Sequence, residues 1–323
     1  MTWLVTGGAG YIGGHVVAAM REVGEEVVVL DDMSSGHEGR IASVPLERGS
    51  VLDRSLVERV LREHAIRGVV HLAAKKRVDE SVGLPLHYYH QNVEGLRVLL
   101  EAAVATDVTD FVFSSSAAVY GSPDVDLVHE DTTCAPVNPY GKSKLIGEWM
   151  VEDAARATGL RYANLRYFNV AGSAADELAD RGAFNLVPMV FQRLVDGLPP
   201  VIFGDDYATP DGTCIRDFIH VADIASAHVA AARALGRAEI SGLTANIGRG
   251  EGVSVREMIA VIREVTATAH ESWSEPTVAP RRPGDPARVV ASATTLHEAL
   301  GWRAQWSIRD MVASAWAGWT AAR

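Results

Sequence analysis

The sequence predicts an α/β fold, a doubly wound parallel sheet covered by helices and followed by a smaller, less regular α/β lobe. Three observations predict it. Short strand-like runs alternate with longer amphipathic stretches through the first half of the chain, as parallel strands joined by crossover helices require. A glycine-rich turn follows the first run. Beyond about residue 170 the alternation loosens, and Gly and Pro become frequent over residues 197–217 and 279–286.

The elements follow in order. Trp3 to Thr6, Glu26 to Leu30, Gly68 to Leu72, Asp110 to Ser115 and Arg161 to Arg166 read as strands. Between them, Ile12 to Val23, Ser55 to His64, Tyr88 to Ala105 and Tyr140 to Thr158 carry apolar residues at intervals of three and four, the period of a half-buried helix. Later, Val221 to Leu235 reads as a helix, and Ser254-Val255-Arg256-Glu257 is a capping box opening another that runs to about Val265. The chain divides on this reading into residues 1–170, to which later segments return, and a second lobe over residues 171–323.

A chain of 323 residues, 48% of them hydrophobic, holds ample material for one large or two modest domains. No apolar stretch approaches the roughly 20 residues that cross a bilayer, and Met1 to Thr6 enters a strand without a basic leader, so a cytoplasmic protein is expected. The formal charge of −11 argues against general nucleic-acid affinity, while leaving small anionic ligands open. Cys134 and Cys214 stand far apart without ligand-spaced histidines, so neither a disulfide framework nor a metal site is suggested.

Thr6-Gly7-Gly8-Ala9-Gly10-Tyr11-Ile12-Gly13 ends a strand and opens a helix with the spacing G-x-x-G-x-x-G. Bare backbone at Gly7 and Gly10 permits a tight turn and close approach of a pyrophosphate to the helix amino terminus, and Gly13 lets helix and sheet pack closely. The fold is therefore of the Rossmann type. Asp31 closes the second strand, where a carboxylate accepts from ribose hydroxyls and repels a 2′-phosphate; Asp32 adds to that sign without a nearby arginine, which favours NAD over NADP.

Further along, Asn138-Pro139-Tyr140-Gly141-Lys142-Ser143-Lys144 places a helix cap, a first-turn proline, and then Tyr140 and Lys144 on one face a turn apart. A free phenol ionises near about pH 10, too high for a base at neutral pH, and Lys144 with the positive helix end is expected to lower it. Taken alone, Tyr-x-x-x-Lys is an ordinary helix spacing. Joined to the glycine turn, it reads as a redox site.

These motifs, with Ser116 at the end of the fourth major strand, resemble the extended short-chain dehydrogenase/reductase superfamily. Lys76 to Val82, Arg166-Tyr167-Phe168-Asn169, and Phe203 to Tyr207 continued by Asp211 to Val221 resemble its UDP-galactose (UDP-glucose) 4-epimerases over almost the whole chain. By that resemblance Gly7, Gly10, Tyr11, Ile12, Gly13, Asp31, Asp32, Ser50, Val51, Leu72, Ala73, Ala74, Lys76, Asn92, Ser114, Tyr140, Lys144 and Phe168 surround NAD. Asn92 would offer a donor and an acceptor there, and Phe168 would close over the nicotinamide. The same resemblance places Lys76, Ser116, Tyr140, Asn169, Asn185, Leu186, Val201, Phe203, Arg216, Arg282, Asp285 and Val289 around a UDP-sugar. Arg216 and Arg282 suit diphosphate oxygens, which a guanidinium grips through paired donors.

The resemblance implies a reaction in which tyrosinate at Tyr140 takes the proton of the sugar 4-hydroxyl, Ser116 bonds that oxygen, and C4 gives and recovers a hydride. Related dehydratases carry an Asp-Glu pair just after the active-site hydroxyl, and decarboxylases a Glu; here stand Ala117 and Ala118. Loss of water or carbon dioxide is the alternative enzymatic outcome, and NAD sensing without catalysis a weaker one. Three positions depart from the epimerase pattern. Ser50 replaces an adenine-binding Asp, Ala118 a threonine near the sugar, and Val289 a residue that limits room at the sugar 2-position, so that N-acetylhexosamine forms stay open. A homodimer through Val93 to Val104 and Lys144 to Ala155 is implied, although those apolar faces serve an internal core equally well.

Overall fold

The computed structural model describes residues 1–182, 184–267, 273–282 and 284–321; Pro283, within the Arg281-to-Asp285 motif, lies outside them. In chain order the strands are β1 (Thr2–Thr6), β2 (Glu26–Asp31), β3 (Leu46–Arg48), β4 (Gly68–His71), β5 (Asp110–Ser116), β6 (Arg161–Tyr167), β7 (Asn169–Ala171), β8 (Val201–Phe203), β9 (Ile215–His220), β10 (Gly242–Ile247), β11 (Gly252–Ser254), β12 (Thr277–Ala279) and β13 (Arg288–Val289). The helices are α1 (Tyr11–Glu22), α2 (Arg54–Glu63), α3 (Val78–Gly83), α4 (Pro85–Tyr88), α5 (Gly95–Ala105), α6 (Pro139–Thr158), α7 (Leu186–Val195), α8 (Val221–Gly236), α9 (Val255–Thr266), α10 (Thr294–Leu300) and α11 (Ile308–Ala321).

Among the described residues, seven strands form one sheet in the order β10-β6-β5-β4-β1-β2-β3, every pair parallel. Successive residues of a strand face opposite sides, and the core divides accordingly. Val5, Val29, Val70 and Val112 pack with Val16 and Met20 of α1 and with Ile224 and Ala231 of α8. Their neighbours Leu4, Val28, Val69 and Phe111 pack on the other face with Val57 and Leu61 of α2, Leu99 of α5 and Val151 of α6. The strand order reverses between β1 and β4, which opens a crevice at their carboxyl ends.

The second lobe is built on β9, which pairs with β11, β13 and β7, beside a separate β8–β12 pair. Its own apolar cluster joins Val190 and Phe191 of α7, Ile259 and Ile262 of α9, and Met311 and Trp319 of α11. The capping box at Ser254 has both its bonds, Glu257 N–H to Ser254 Oγ at 3.0 Å and Ser254 N–H to Glu257 Oε2 at 2.7 Å. Two local expectations change. The helix expected from Tyr88 is broken by a π-helical stretch over Tyr89–Glu94 before α5 begins, and the two edge strands of the large sheet, β3 and β10, are additions to the expected set.

Candidate active site

The glycine turn lies in the crevice. Gly7 has φ +71°, and a Cβ there would sit 2.7 Å from the Ala73 nitrogen, so β4's exit and the turn touch through bare backbone. A Cβ on Gly13 would run into the Gly7 carbonyl, which makes that glycine a requirement of the turn itself rather than of helix–sheet packing alone. Gly10 precedes α1 without a side-chain cap, so first-turn amides remain for an anion. These residues fit a dinucleotide pyrophosphate.

Asp31 braces this turn. Its Oδ2 accepts from Ala9 N–H at 3.0 Å and its Oδ1 from Met33 N–H at 2.9 Å, while burial raises its pKa. Each carboxylate oxygen keeps a further lone pair for a ribose hydroxyl. Asp32 is exposed and accepts from Ser34 N–H. Tyr11 donates to Gly172 O at 2.6 Å, tying α1 to the end of β7, and Ile12 packs into the core. Leu72 and Ala73 continue β4 with amides directed at Thr6, and Ala74 is half-buried. Ser50 Oγ accepts from Leu52 N–H, Val51 is buried, and Lys76 is exposed.

Asn138 caps α6 by accepting from Gly141 N–H at 2.8 Å, with Pro139 in the first turn. The cap sets Tyr140 and Lys144 a turn apart, 7% and 3% exposed. Burial raises the Tyr140 phenol, and a hydrogen bond with Ser116 pulls it back. Lys144 is anchored to the end of β5. Its ammonium donates to Ser114 O at 2.7 Å, lies 5.0 Å from the Phe113 ring centre, and burial lowers its pKa from 10.5 to about 8, with Glu148 opposing. Ser116 Oγ accepts from Ala118 N–H, which starts a tight turn over Ala117–Val119.

Two residues expected at the cofactor turn inward instead. Asn92 does offer a donor and an acceptor, but to protein: Oδ1 takes Lys75 N–H at 2.8 Å, and Nδ2 gives to Lys75 O and to Ser143 Oγ. Ser143 in turn donates to Tyr140 O. Ser114 is wholly buried, its hydroxyl 2.7 Å from Nε2 of His228. Both side chains are tied to protein partners, because a short polar side chain in a closed interior must find its partner there.

In the second lobe, Arg216 on β9 forms an ion pair with Asp285 and donates to Ile215 O. Val289 on β13 is in register with Arg216 and packs with Phe168, Tyr120 and Leu145. Arg282 lies 4.0 Å over the Phe203 ring. Phe168 is buried, Asn169 exposed, Asn185 bonded to Asp180, Leu186 packed in the lobe's core, and Val201 half-buried on β8. The structure thus gathers Phe203, Arg216, Arg282, Asp285 and Val289 along neighbouring segments. Sequence reading missed several partners: Phe184, over which Arg77 lies at 4.7 Å, Tyr207, over which Arg281 lies at 4.0 Å, and the buried Glu148, Arg166 and His228. Arg166 and Tyr207 lay inside quoted motifs. The others carried no signal beyond their residue type.

A parallel doubly wound sheet with a glycine cradle at its switch point and a Ser-Tyr-Lys set whose Tyr and Lys are buried defines an extended short-chain dehydrogenase/reductase. Within that class, the chain belongs to the NAD dependent epimerase/dehydratase family, whose sequence model matches residues 3–248. It is 46% identical over 306 residues to a UDP-glucose 4-epimerase of Azospirillum brasilense, covering 93% of this chain and 86% of that one. The enzyme of the same name from Halalkalibacterium halodurans is 44% identical over 323 residues, 98% and 95% of the two chains. Among solved structures, UDP-glucose 4-epimerase of Bifidobacterium longum in complex with NAD+ and UDP superposes with a TM-score of 0.91 at 36% identity, over 100% of this chain and 98% of that one. That of Stenotrophomonas maltophila, with bound NAD and formylated UDP-arabinopyranose, gives 0.93 at 38%, with the same coverage.

Proposed function

We propose that the chain interconverts the 4-epimers of a UDP-hexose, UDP-glucose and UDP-galactose, by oxidising C4 and reducing it from the opposite face. One observation carries the choice of outcome. Directly after Ser116 stand Ala117 and Ala118, so the turn over the reacting carbon holds no carboxylate to take the C5 proton or to steer decarboxylation. A 4-keto sugar formed there has only reduction left to it.

The cradle of Gly7, Gly10 and Gly13 would hold the pyrophosphate of NAD, with Asp31 at its ribose. When bound, NAD supplies the acceptor and donor of hydride. Tyr140, as tyrosinate, removes the proton of the sugar 4-hydroxyl and later returns it, while Ser116 bonds that oxygen. Lys144 contributes positive charge that favours the tyrosinate. Arg216 and Arg282 would hold the diphosphate, so that the sugar can turn while its anchor stays. Val289, shorter than an aromatic side chain, supports acceptance of N-acetylhexosamine forms as well.

The proposal extends to a domain division at about residue 170, with β10 returning to the first sheet, and to a cytoplasmic homodimer. Both cysteines are free thiols, which suits a reducing compartment. The apolar face of α5 is spent on the core, but Trp149 on α6 is 55% exposed three residues after Ile146, which lines a groove with Tyr89, His90, Val93 and Glu94, and this supports a contact there. Purified protein incubated with UDP-glucose, UDP-galactose and their N-acetyl counterparts, without added NAD, should yield the 4-epimer at unchanged mass. Loss of water or carbon dioxide from the sugar would refute the assignment.

A further inference from the structure

Ser114, Ser115 and Ser116 close β5, and their hydroxyls go three ways. Ser115 donates to Glu148 on α6, Ser114 meets His228 on α8, and Ser116 receives the Ala118 amide. Adjacent strand residues face opposite sides, so the end of β5 is clamped between two helices.

The α8 jaw has a defined hydrogen-bond sense. His228 Nδ1 lies 2.8 Å from Ile224 O, one turn back, which fixes the proton on Nδ1 and leaves the Nε2 lone pair for the Ser114 hydroxyl at 2.7 Å. Complete burial, which lowers the His228 pKa to about 4, keeps the ring neutral. The other end of Ser114 holds the catalytic ammonium, its carbonyl accepting from Lys144 Nζ at 2.7 Å. β4 ends at His71, opposite Phe113, so Ser114 lies one residue past that ladder.

We infer that His228 is a positioning residue for Lys144, acting through Ser114: the side-chain bond fixes the residue whose carbonyl holds the ammonium, and so sets the ammonium against the Tyr140 phenol. The inference rests on Tyr140 being the base. The other titratable groups around Lys144 are Tyr140 and Glu148 on α6, His71 on β4, and Arg166 on β6, paired to Glu148. Among the described residues no hydrogen bond joins His228 to any of them; its ring also meets that of Tyr167 on β6 at 6.4 Å, a neighbour coupled to Tyr140, and this contact involves no hydrogen bond, so only the Ser114 route is read by removing and restoring an acceptor. A displaced Lys144 stabilises tyrosinate less, and the base then becomes available only at higher pH.

The test is the pH profile of kcat and KM for the NAD-loaded enzyme. His228→Asn keeps a donor for Ile224 while its carbonyl oxygen falls short of the Nε2 position that faces Ser114, whereas His228→Gln restores an acceptor near that position. His228→Asn should move the acid limb of kcat up by about one pH unit and lower kcat at neutral pH about tenfold, with KM changed less than about twofold. His228→Gln should bring the limb back, and Ser114→Ala should reproduce the shift. An unmoved limb in His228→Asn and Ser114→Ala, whatever their thermal stability, overturns the inference, as does a failure of His228→Gln to restore it. Should His228→Asn not fold, Ser114→Ala alone decides by the same criterion. Tyr140→Phe run alongside separates the two claims: wild-type turnover there removes the base assignment, while lost turnover with an unmoved His228→Asn limb removes only the role of His228.

Discussion

Arg166 and Glu148 form a bidentate ion pair inside the protein, Nε to Oε1 at 2.9 Å and Nη2 to Oε2 at 2.6 Å, one helical turn beyond Lys144. Arg166 also donates to Tyr120 Oη and to Glu130 O, and Tyr120 donates to Asn246 on β10. The pair therefore joins α6, the turn after β5, β6 and β10 behind the reacting groups. Removing one charge strands the other in a site less than a tenth exposed. Glu148→Ala should cost about 3–5 kcal/mol of stability, and the double variant Glu148→Leu/Arg166→Met clearly less, by chemical denaturation. A double variant weaker than both single ones would contradict this account.

Lys144 opposes stability by being buried. Its folded pKa of about 8 lies below 10.5, so between those values the unfolded chain holds a proton that the folded chain lacks, and stability rises with pH across that window. Below about pH 8 both states are protonated and the folded protein carries the whole penalty. Lys144→Met should therefore be the more stable protein at pH 7, by at most about 3 kcal/mol, with nearly all turnover lost. Denaturation of both proteins at pH 7 and at pH 10 checks the sign: the gap must narrow as pH rises.

Asp31 braces the turn and, on the proposed function, binds the ribose as well. Asp31→Asn keeps an acceptor for one backbone amide but removes the charge, so NAD should dissociate roughly tenfold more readily and NADP gain relative affinity. Cofactor content after purification and titration with each dinucleotide measure both effects. Unchanged preference would place cofactor selection elsewhere.

Arg216 is held by Asp285, and on the proposed function a diphosphate competes for it. Arg216→Met removes charge-assisted bonds of about 1.5–3 kcal/mol, so calorimetry should find UDP affinity lowered by about ten- to a hundredfold. Undiminished UDP binding would remove Arg216 from the anchor.

How far the sequence revealed all this varied with the kind of signal. The large sheet was legible because β1, β2, β4, β5 and β6 each announce themselves as apolar runs, and α6 because Asn138 and Pro139 mark its start. β3 and β10 were not, since Leu46–Arg48 is three residues without alternation and Gly242–Ile247 lacks an apolar run; pairing with β2 and β6 makes them strands. A π-helical stretch at Tyr89–Glu94 is little more than one turn long, too short for an apolar period to reveal. In the second lobe, β8 pairs with β12 some 75 residues later, a contact that no local pattern encodes. The motif residues of the site were readable by type, but their partners were not. Asn92 and Ser114 look like ligand-facing polar residues until Lys75, Ser143 and His228 are seen closing on them. Glu148 and Arg166 look like solvated charges until burial pairs them.

The central claim is that one hydrogen leaves C4 of the sugar and returns to it on the other face. UDP-galactose carrying deuterium at C4, converted by the purified protein in ordinary water, should give UDP-glucose that retains the deuterium at C4 by mass spectrometry and proton NMR. Replacement of that deuterium by solvent hydrogen during inversion would contradict the account.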